Sequence, residues 1–337
     1  MARHPLASLV AAQVRQMFGR PDYWHIEAGE GKHVDLASPR GYYFDYSARA
    51  DYPGATDSDG VPLRRQDRGR PVYSPPDVAQ FAFGNLELYL SSGNDRRRVL
   101  FEKAATRLMN EAEEVPGSFV GWPMPVAPRA FERRLGNGWF SAMSHGECIS
   151  VLVRAARLFG MDGALELARR ALGGFLAPVA DGGMLREMGD AAQDAGVESM
   201  AFLEEYPMRG RPSMVLNGHV HAMWGIYDLL QATGDASARS LFERCLRGLT
   251  FVLDRYDLGY WTRYDLDEGW RCVNPASRHY HRIHVRQLMT LHRMTGDDEL
   301  IDLARRWESY LDDRAGSRRA YWEKVRFKLL NPDSVVV

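Results

Sequence analysis

Two carboxylates and a tyrosine stand before a proline in the segment FLEEYP, at Glu204, Glu205 and Tyr206. Two more tyrosines lie in polar segments, Tyr264 in YWTRYDLDEG and Tyr280 in SRHYHRIH. A carboxylate beside several phenols can move a proton to or from carbon. Because a phenol with its ordinary pKa of about 10 is a poor base at neutral pH, we expect adjacent cations to lower that pKa. The candidate cations are Arg278, His281 and His284.

The residues around this acid and tyrosine group have simpler interpretations. We interpret Glu204 as surface charge and Pro207 as a residue that stiffens the loop. Asn217 is interpreted as the N-cap of the next helix or as a contact to substrate.

Helix pairs recur along the chain in four segments, at 78–110, 145–176, 217–253 and 281–311. In each segment an apolar helix is followed by a short turn (SGND, FGMD, TGDA or TGDD) and a more amphipathic helix. The turns predict a left-handed residue that ends the first helix and a side chain that caps the second. The first helices are apolar nearly all round, which predicts that they are buried.

Buried first helices and surface-facing second helices predict a mainly α fold, an incomplete (α/α) toroid or barrel of about four helix pairs. The first helices all begin with polar residues, so we expect these ends to meet at one mouth of the ring. The polar residues are Gln80, His145, Glu147, Asn217, His219, His221, His281, His284 and Gln287.

The domain organisation follows from where this repeat begins and ends. Residues 1–75 are predicted to form a short amphipathic helix and β-hairpins that pack on the barrel, because 20–75 combine alternating aromatic residues with turn signals. Residues 76–315 form the barrel and 316–337 a C-terminal tail. The run Asp57–Asp59 is interpreted as a capped turn, with a structural calcium site as the alternative.

The composition narrows the class of protein. The 337 residues are 45% hydrophobic and carry a net charge of −1. The sequence has no run of eighteen apolar residues, so it predicts no membrane-spanning helix. The N-terminal segment lacks the apolar stretch of a signal peptide, so we expect a cytoplasmic location unless a leader has been removed. Three cysteines without CxxC spacing favour reduced thiols over disulfides or a zinc site. No cofactor or metal motif is found, and we expect no nucleic-acid partner.

A set of motifs in a fixed order resembles the D-glucuronyl C5-epimerases, which convert glucuronic to iduronic acid in heparan sulfate and heparosan. The motifs are GVPL at 60–63, YSPPDVAQFAFG at 73–84, GWP at 121–123, SAMSHGECISVLVRA at 141–155, EEYP, PSMVLNGHVHAMWGIYDL, RYDL, YHRIH and RRWESYL. The sequence departs from this family in three ways. It has no room for the β-sandwich insert between the first helix pair and GWP, it carries Asp267 in place of a basic residue, and it carries His279 in place of an acid.

The resemblance implies an isomerase that removes the C5 proton of a uronate and returns a proton to the opposite ring face. Residue by residue it assigns the catalytic roles to Glu205, Tyr206, Tyr264 and Tyr280. It implies no cofactor, an anionic uronic-acid polysaccharide as substrate and a homodimer. The amphipathic segment 320–330 can either pack on the partner chain or cover the barrel of its own chain. The predicted substrate-binding residues are Arg263, Arg278, His281, His284, Asn217, Gln80, His145 and Tyr73.

Three other functions share parts of this pattern. A uronate polysaccharide lyase uses the same C5 proton abstraction and then expels the C4 substituent. A non-catalytic carbohydrate-binding toroid needs the arginines and aromatic residues but no acid and tyrosine group. A glycoside hydrolase needs two carboxylates across a sugar ring, for which Glu147 and Glu205 are the candidates.

Overall fold

The computed structural model of the protein describes residues 23, 26–65, 70–115, 118–128, 130–135 and 138–334, with no side chain given for residue 133. The predicted N-terminal helix lies outside this part of the chain. Within the described residues, no helix combines the length and the apolarity needed to cross a bilayer.

The protein is mainly helical, with short strands in three antiparallel pairs. The helices are α1 Pro75–Ser92, α2 Asp95–Asn110, α3 Glu132–Leu135, α4 Ala142–Phe159, α5 Ala164–Leu176, α6 Gly189–Asp194, α7 Leu216–Thr233, α8 Ala236–Val252, α9 Arg278–Thr295, α10 Asp298–Ser309 and α11 Arg314–Leu330. The paired strands are β1 Gly29–Glu30 with β2 Phe44–Asp45, β3 Glu113–Val115 with β4 Phe119–Gly121, and β5 Leu185–Glu187 with β6 Ala201–Leu203.

The four predicted helix pairs are confirmed as α1 with α2, α4 with α5, α7 with α8 and α9 with α10. Each first helix ends at a glycine with left-handed backbone, at Gly93, Gly160, Gly234 and Gly296. The next helix is capped by the side chain of Asn94, Asp235 or Asp297 in three pairs. In the second pair the cap position is Gly163, which has no side chain to accept a hydrogen bond.

The predicted burial of the first helices is confirmed for α1, α4 and α7 and is wrong for α9. One side of α9 carries arginines that reach toward the N-terminal region, where Arg282 and Arg286 pair with Glu27 and Arg293 pairs with Glu30. Helix α9 is therefore amphipathic, with its apolar side against α10 and its basic side against the N-terminal region.

A buried histidine joins the two helices in three of the pairs. It is the fourth residue of α4, α7 and α9, and its Nε2 donates to a backbone carbonyl 26 residues further along, in the second helix of the pair. These bonds are His145 to Ala171 at 2.7 Å, His219 to Cys245 at 3.3 Å and His281 to Trp307 at 2.9 Å. Burial lowers the pKa of each imidazole to about 4, so the rings are neutral at physiological pH.

The segment before α1, predicted to form β-hairpins, contains short antiparallel pairings of β1 with β2, Thr56 with Pro62 and Arg64 with Val72, joined by irregular backbone. Its aromatic residues pack onto the first helices: the Tyr42 ring stacks on Phe83 at 3.7 Å, and the Tyr43 hydroxyl donates to Asp228 at 2.7 Å. The interpretation of Asp57 as a turn residue is confirmed, because its carboxylate accepts the backbone N–H groups of Asp59 and Val61.

Helices α4 and α7 touch backbone to backbone at two glycines. A Cβ added to Gly225 would lie 2.5 Å from the carbonyl oxygen of Gly146, and a Cβ on Gly146 would lie 2.5 Å from that of His221. A buried ion pair between Arg154 of α4 and Asp228 of α7, at 2.5 Å, opposes separation of the two helices. Helices α4 and α7 are thus held in direct backbone contact.

We predict that Gly225→Ala destabilises the protein by about 1–3 kcal/mol, the usual cost of forcing a carbon into a packed core, although alanine itself favours helix. Urea denaturation of the variant measures this cost. The matched control is Gly189→Ala, since a Cβ there meets no atom within 4 Å. Equal midpoints for both variants would contradict the backbone contact.

Candidate functional site

The loop between β6 and α7 is held by Glu204, whose interpretation as surface charge is wrong. Glu204 is 0% exposed and forms an ion pair with Arg186 at 2.5 Å. Its other carboxylate oxygen accepts the hydroxyl of Ser213 at 2.5 Å and the backbone N–H of Met214 at 2.9 Å. Glu204 therefore closes the loop on itself and fixes the position of the next residue, Glu205.

Met214 shows that this loop is under conformational constraint. Its φ of 46° is the one positive value found at a non-glycine residue in the described part of the chain. Such backbone costs on the order of 1–3 kcal/mol and persists where the surroundings enforce it. Here the Met214 N–H donates to Glu204, and its carbonyl accepts the hydroxyl of Tyr256 at 2.6 Å.

Glu205 is a buried carboxyl group at the N-terminal end of α7. The Asn217 side chain donates to its Oε2 at 3.4 Å. Gly218 makes room for it, because a Cβ at that position would lie 2.4 Å from the same oxygen. Burial raises the pKa of Glu205 to about 7, against the lowering effect of its hydrogen bonds. Asn217 lies in the first turn of α7, and Val215 occupies the N-cap position.

Three predicted catalytic tyrosines adjoin Glu205. Side-chain hydrogen bonding with Tyr206 lowers the pKa of Glu205, and that with Tyr264 lowers the pKa of Tyr206, so these side chains lie close together. The Tyr280 ring lies edge-on to the Tyr264 ring at 4.9 Å. The structure thus brings together residues that are up to 75 positions apart in the sequence.

The phenols are held in their protonated form. Burial, reinforced by the nearby Glu205 carboxyl, raises the pKa of Tyr206 and Tyr264 well above 10. The expectation that neighbouring cations lower these pKa values is therefore wrong. In this environment Tyr206 and Tyr264 are proton donors, and Glu205 is the group that changes charge near neutral pH.

A second buried carboxyl group, Glu147, lies where α1, α4 and α7 meet. It accepts two hydrogen bonds from Gln80, at 3.0 and 3.2 Å, and its Oε1 lies 3.7 Å from His221 Nδ1. Arg49 donates to the Gln80 side-chain oxygen. Burial raises the pKa of Glu147 to about 8. Gln80 and Glu147 are each the sixth residue of their helix, which aligns the N-terminal ends of α1 and α4.

Tyr46 connects the two carboxyl groups. Its hydroxyl donates to Glu147 at 3.5 Å, and it is close enough to Tyr280 for the two phenols to affect each other electrostatically. The site therefore contains two buried carboxyl groups, Glu205 and Glu147, together with the tyrosines Tyr206, Tyr264, Tyr280 and Tyr46.

Lys324 of α11 brings a cation to this group. Its Nζ lies 5.6 Å from the centre of the Tyr264 ring and donates to the Asn274 side-chain oxygen at 2.6 Å. The Asn274 amide in turn donates to Asp265 at 2.6 Å. Burial lowers the pKa of Lys324 and raises that of Asp265.

The predicted substrate-binding arginines contact other parts of the chain. Arg278 is exposed at the start of α9 and donates to Ser317 at 3.5 Å. The backbone N–H of Arg263 donates to the Tyr256 carbonyl at 2.8 Å. Asp267, which replaces a basic residue of the family, is paired with Arg211 at 2.6 Å.

The predicted substrate-binding histidines lie inside the helix pairs. His145 and His281 form the bonds between helices described above, and His284 lies 3.1 Å from the Thr262 hydroxyl. Burial lowers the pKa of His284 well below its usual range. The expectation that His281 and His284 act as cations is therefore wrong.

Tyr73 lines a neighbouring cavity of about 710 Å³ at the start of α1. Its hydroxyl donates to Asp57 at 2.7 Å, and the Arg107 guanidinium covers its ring at 4.4 Å. Trp139 lines the same cavity, and its ring lies 5.7 Å from that of Tyr206. The cavity, which lies between α1, α2 and the segment before α4, therefore adjoins the tyrosine group at Trp139.

Tyr46 and Lys324 were not identified from the sequence. Tyr46 belongs to an aromatic run that was interpreted as a hairpin. Lys324 lies in the segment assigned as the tail, yet it stands between Ala320 and Phe327 at helical spacing, and both of these are buried. A lysine on the apolar side of a helix is the signal that identifies it. Within the described ranges, no group of three His, Cys, Asp or Glu side chains is arranged to hold a metal ion.

Comparison with known proteins gives a consistent match. The family model described as "D-glucuronyl C5-epimerase C-terminus" matches residues 117–309. The chain is 34% identical over 206 residues to a D-glucuronyl C5-epimerase of Caenorhabditis elegans, which covers 56% of this chain and 32% of that protein. It is 31% identical over 173 residues to an uncharacterized protein of Methanocaldococcus jannaschii, which covers 51% of this chain and 53% of that protein.

Each alignment covers only part of this chain and only part of the related protein. The aligned part of the chain amounts to about a third of the nematode protein and about half of the archaeal one. The family match includes Glu205, Tyr206, Tyr264 and Tyr280, whereas Tyr46 and Lys324 lie outside it.

The raised pKa of Glu147 makes stability depend on pH. The folded protein keeps this proton up to a pH of about 8, whereas the unfolded chain loses it near 4.5, so the free energy of unfolding falls as pH rises between these values. We predict that Glu147→Gln makes this fall smaller, as measured by urea denaturation across that range. Glu166→Gln, at an exposed site on α5, is the control. An unchanged pH dependence in Glu147→Gln would show that Glu147 is ionised in the folded protein.

Proposed function

Because the chain belongs to the D-glucuronyl C5-epimerase family, we propose that it inverts C5 of D-glucuronic acid residues in a heparosan-like or heparan-like polysaccharide, giving L-iduronic acid. The observation that carries this proposal is the buried cluster of Glu205, Tyr206 and Tyr264 beside Tyr280. It combines a carboxyl group that titrates near neutral pH with phenols that stay protonated.

The proposed reaction begins with Glu205. The C5–H bond of a uronate lies next to a carboxylate, so removing the proton creates an enolate whose charge collects on the carboxylate oxygens. A base works best when its pKa lies close to the working pH, and that of Glu205 is about 7. Tyr206 and Tyr264 stay protonated and can donate hydrogen bonds toward the developing charge.

Inversion needs a second proton donor on the other face of the ring. We assign this role to Tyr280, with Tyr46 and Glu147 behind it. The pKa of Glu147 is about 8, so it holds a proton at neutral pH with which Tyr46 and then Tyr280 can be reprotonated. Two groups with separate proton supplies allow a proton to leave from one face and another to arrive at the opposite face.

The enolate also needs positive charge close to it. Lys324 is the cation that adjoins Tyr264, and Arg49 lies 4.6 Å from the centre of the Tyr46 ring. We propose that these two residues act where Arg263 and Arg278 were expected. The carboxylate of a bound uronate would favour the charged form of Lys324, against the effect of burial on its pKa.

The same proton abstraction serves a polysaccharide lyase, which is the alternative. The two activities differ in whether the enolate is reprotonated or expels the C4 substituent. Tyr46, whose phenol is kept protonated by burial, lies near Tyr280 and favours reprotonation, and with it the epimerase.

The proposal extends to the assembly. We propose that the four helix pairs form an incomplete α/α toroid and that two chains form a homodimer through α11. This helix carries Trp322, which is 66% exposed, and Leu329, which is 52% exposed, seven residues apart on one side.

Incubation with heparosan in deuterated water tests the function. We predict that deuterium enters C5 and that iduronate appears in the NMR spectrum without new ultraviolet absorbance from an unsaturated uronate. Growth of that absorbance would assign the protein as a lyase. Absence of both signals would exclude heparosan as the substrate.

Substitutions at Glu205 and Tyr206 test the site. We predict that Glu205→Gln and Tyr206→Phe each lower the rate of C5 exchange by ~10²–10⁴, the usual contribution of a general acid or base. Tyr89→Phe, at a ring that packs on Phe159 of α4, is the control.

The pH dependence of kcat/KM tests the role of Glu205. Because Glu205 must be ionised to accept a proton, the value for the wild-type protein should rise as pH increases through about 7. A rate that falls over the same range would show that the protonated carboxyl group is the active form.

A further inference from the structure

A second depression, outside the tyrosine group, is lined by three arginines. It has a volume of about 350 Å³ between the start of α9 and the first half of α11. Its lining residues are Arg278, Leu311, Arg314, Ser317, Arg318 and Tyr321. Arg314, Arg318 and Tyr321 recur at helical spacing, so they share one side of α11.

The charge of this depression is not neutralised within the described part of the chain. No carboxylate lines it, and none lies within the 4.0 Å of an ion pair from Arg278, Arg314 or Arg318. Neighbouring surface arginines differ in this respect. Arg306 pairs with Asp257 at 3.0 Å, and Arg319 pairs with Glu323 at 3.0 Å.

The depression adjoins the tyrosine group through both of its helices. On α9, Arg278 lies two residues before Tyr280, whose ring contacts Tyr264. On α11, Tyr321 lies one turn before Lys324, whose ammonium group faces the Tyr264 ring. A polymer that places one sugar among the tyrosines can therefore continue over α11 toward the arginines.

We propose that this arginine depression binds an anionic group of the polysaccharide at a sugar unit outside the reacting one. The ligand class is a carboxylate or sulfate on a uronic-acid polymer, and this assignment rests on the proposed function. The planar guanidinium matches either group with paired hydrogen bonds. The Tyr321 ring provides an aromatic surface beside the charge.

The contribution of this site is to affinity for long chains. Exposed ion pairs are individually weak and are screened by salt. The depression holds no group of the proton-transfer site, so it affects binding of the polymer and not the chemical step.

Equilibrium binding of heparosan oligosaccharides of increasing length tests the proposal. We expect Arg314→Met/Arg318→Met to weaken binding of the longer oligosaccharides by roughly 2- to 30-fold, from the usual strength of exposed ion pairs. The loss should shrink as salt is added, and binding of the shortest oligosaccharide should be unchanged.

The matched control is Arg157→Met/Arg239→Met, which removes the same charge from two exposed positions outside the depression. Circular dichroism confirms that both double variants are folded. Equal binding by the two double variants would overturn the proposal, as would absence of heparosan binding by the wild-type protein. A larger loss with N-sulfated than with unsulfated oligosaccharides identifies sulfate as the preferred group, and an equal loss identifies the carboxylate.

The same variants separate this proposal from the proposed function. If wild-type protein exchanges the C5 proton and only Arg314→Met/Arg318→Met raises KM at constant kcat, both proposals stand. Exchange with unaltered KM in that variant rejects the arginine site alone. Length-dependent binding through the arginines without C5 exchange supports an anion site and rejects the epimerase.

Discussion

The contact between α4 and α7 is the constraint on which the site depends. Gly146 and Gly225 let the two backbones touch, and the buried pair of Arg154 with Asp228 holds them together. Glu147 follows Gly146 in α4, and its side chain is buried between the first helices. A larger residue at either glycine would push the helices apart and open the polar interior to water.

Burial gives the site its chemical character. The pKa values of Glu205 and Glu147 rise to about 7 and about 8 because both carboxyl groups have been removed from water with few compensating charges. The same burial keeps Tyr206 and Tyr264 protonated. One physical effect thus produces a carboxyl group that can accept a proton near neutral pH and phenols that can donate hydrogen bonds.

The polar residues that stand out in the sequence have either a structural or a chemical role. Their burial in the fold and the groups that they contact decide which. His145, His219 and His281 bind carbonyl groups within helix pairs and are neutral. The Glu204 carboxylate binds Arg186 and the backbone N–H of Met214, and so fixes the loop that carries Glu205. These residues hold the geometry of the site without belonging to it, and none of their partners is adjacent to them in sequence.

The sequence by itself determined the helix pairs, since apolar periodicity and left-handed glycines act over a few residues. Ordered motifs also identified the family and the segments that hold Glu205, Tyr206, Tyr264 and Tyr280. Only the tertiary structure decided which charges meet these tyrosines. Lys324 and Tyr46 come from opposite ends of the sequence to lie near these tyrosines. The pKa shifts of the site residues depend on burial and on neighbours that are distant in sequence. The sequence pattern records the type and spacing of residues, whereas a charge acts through space.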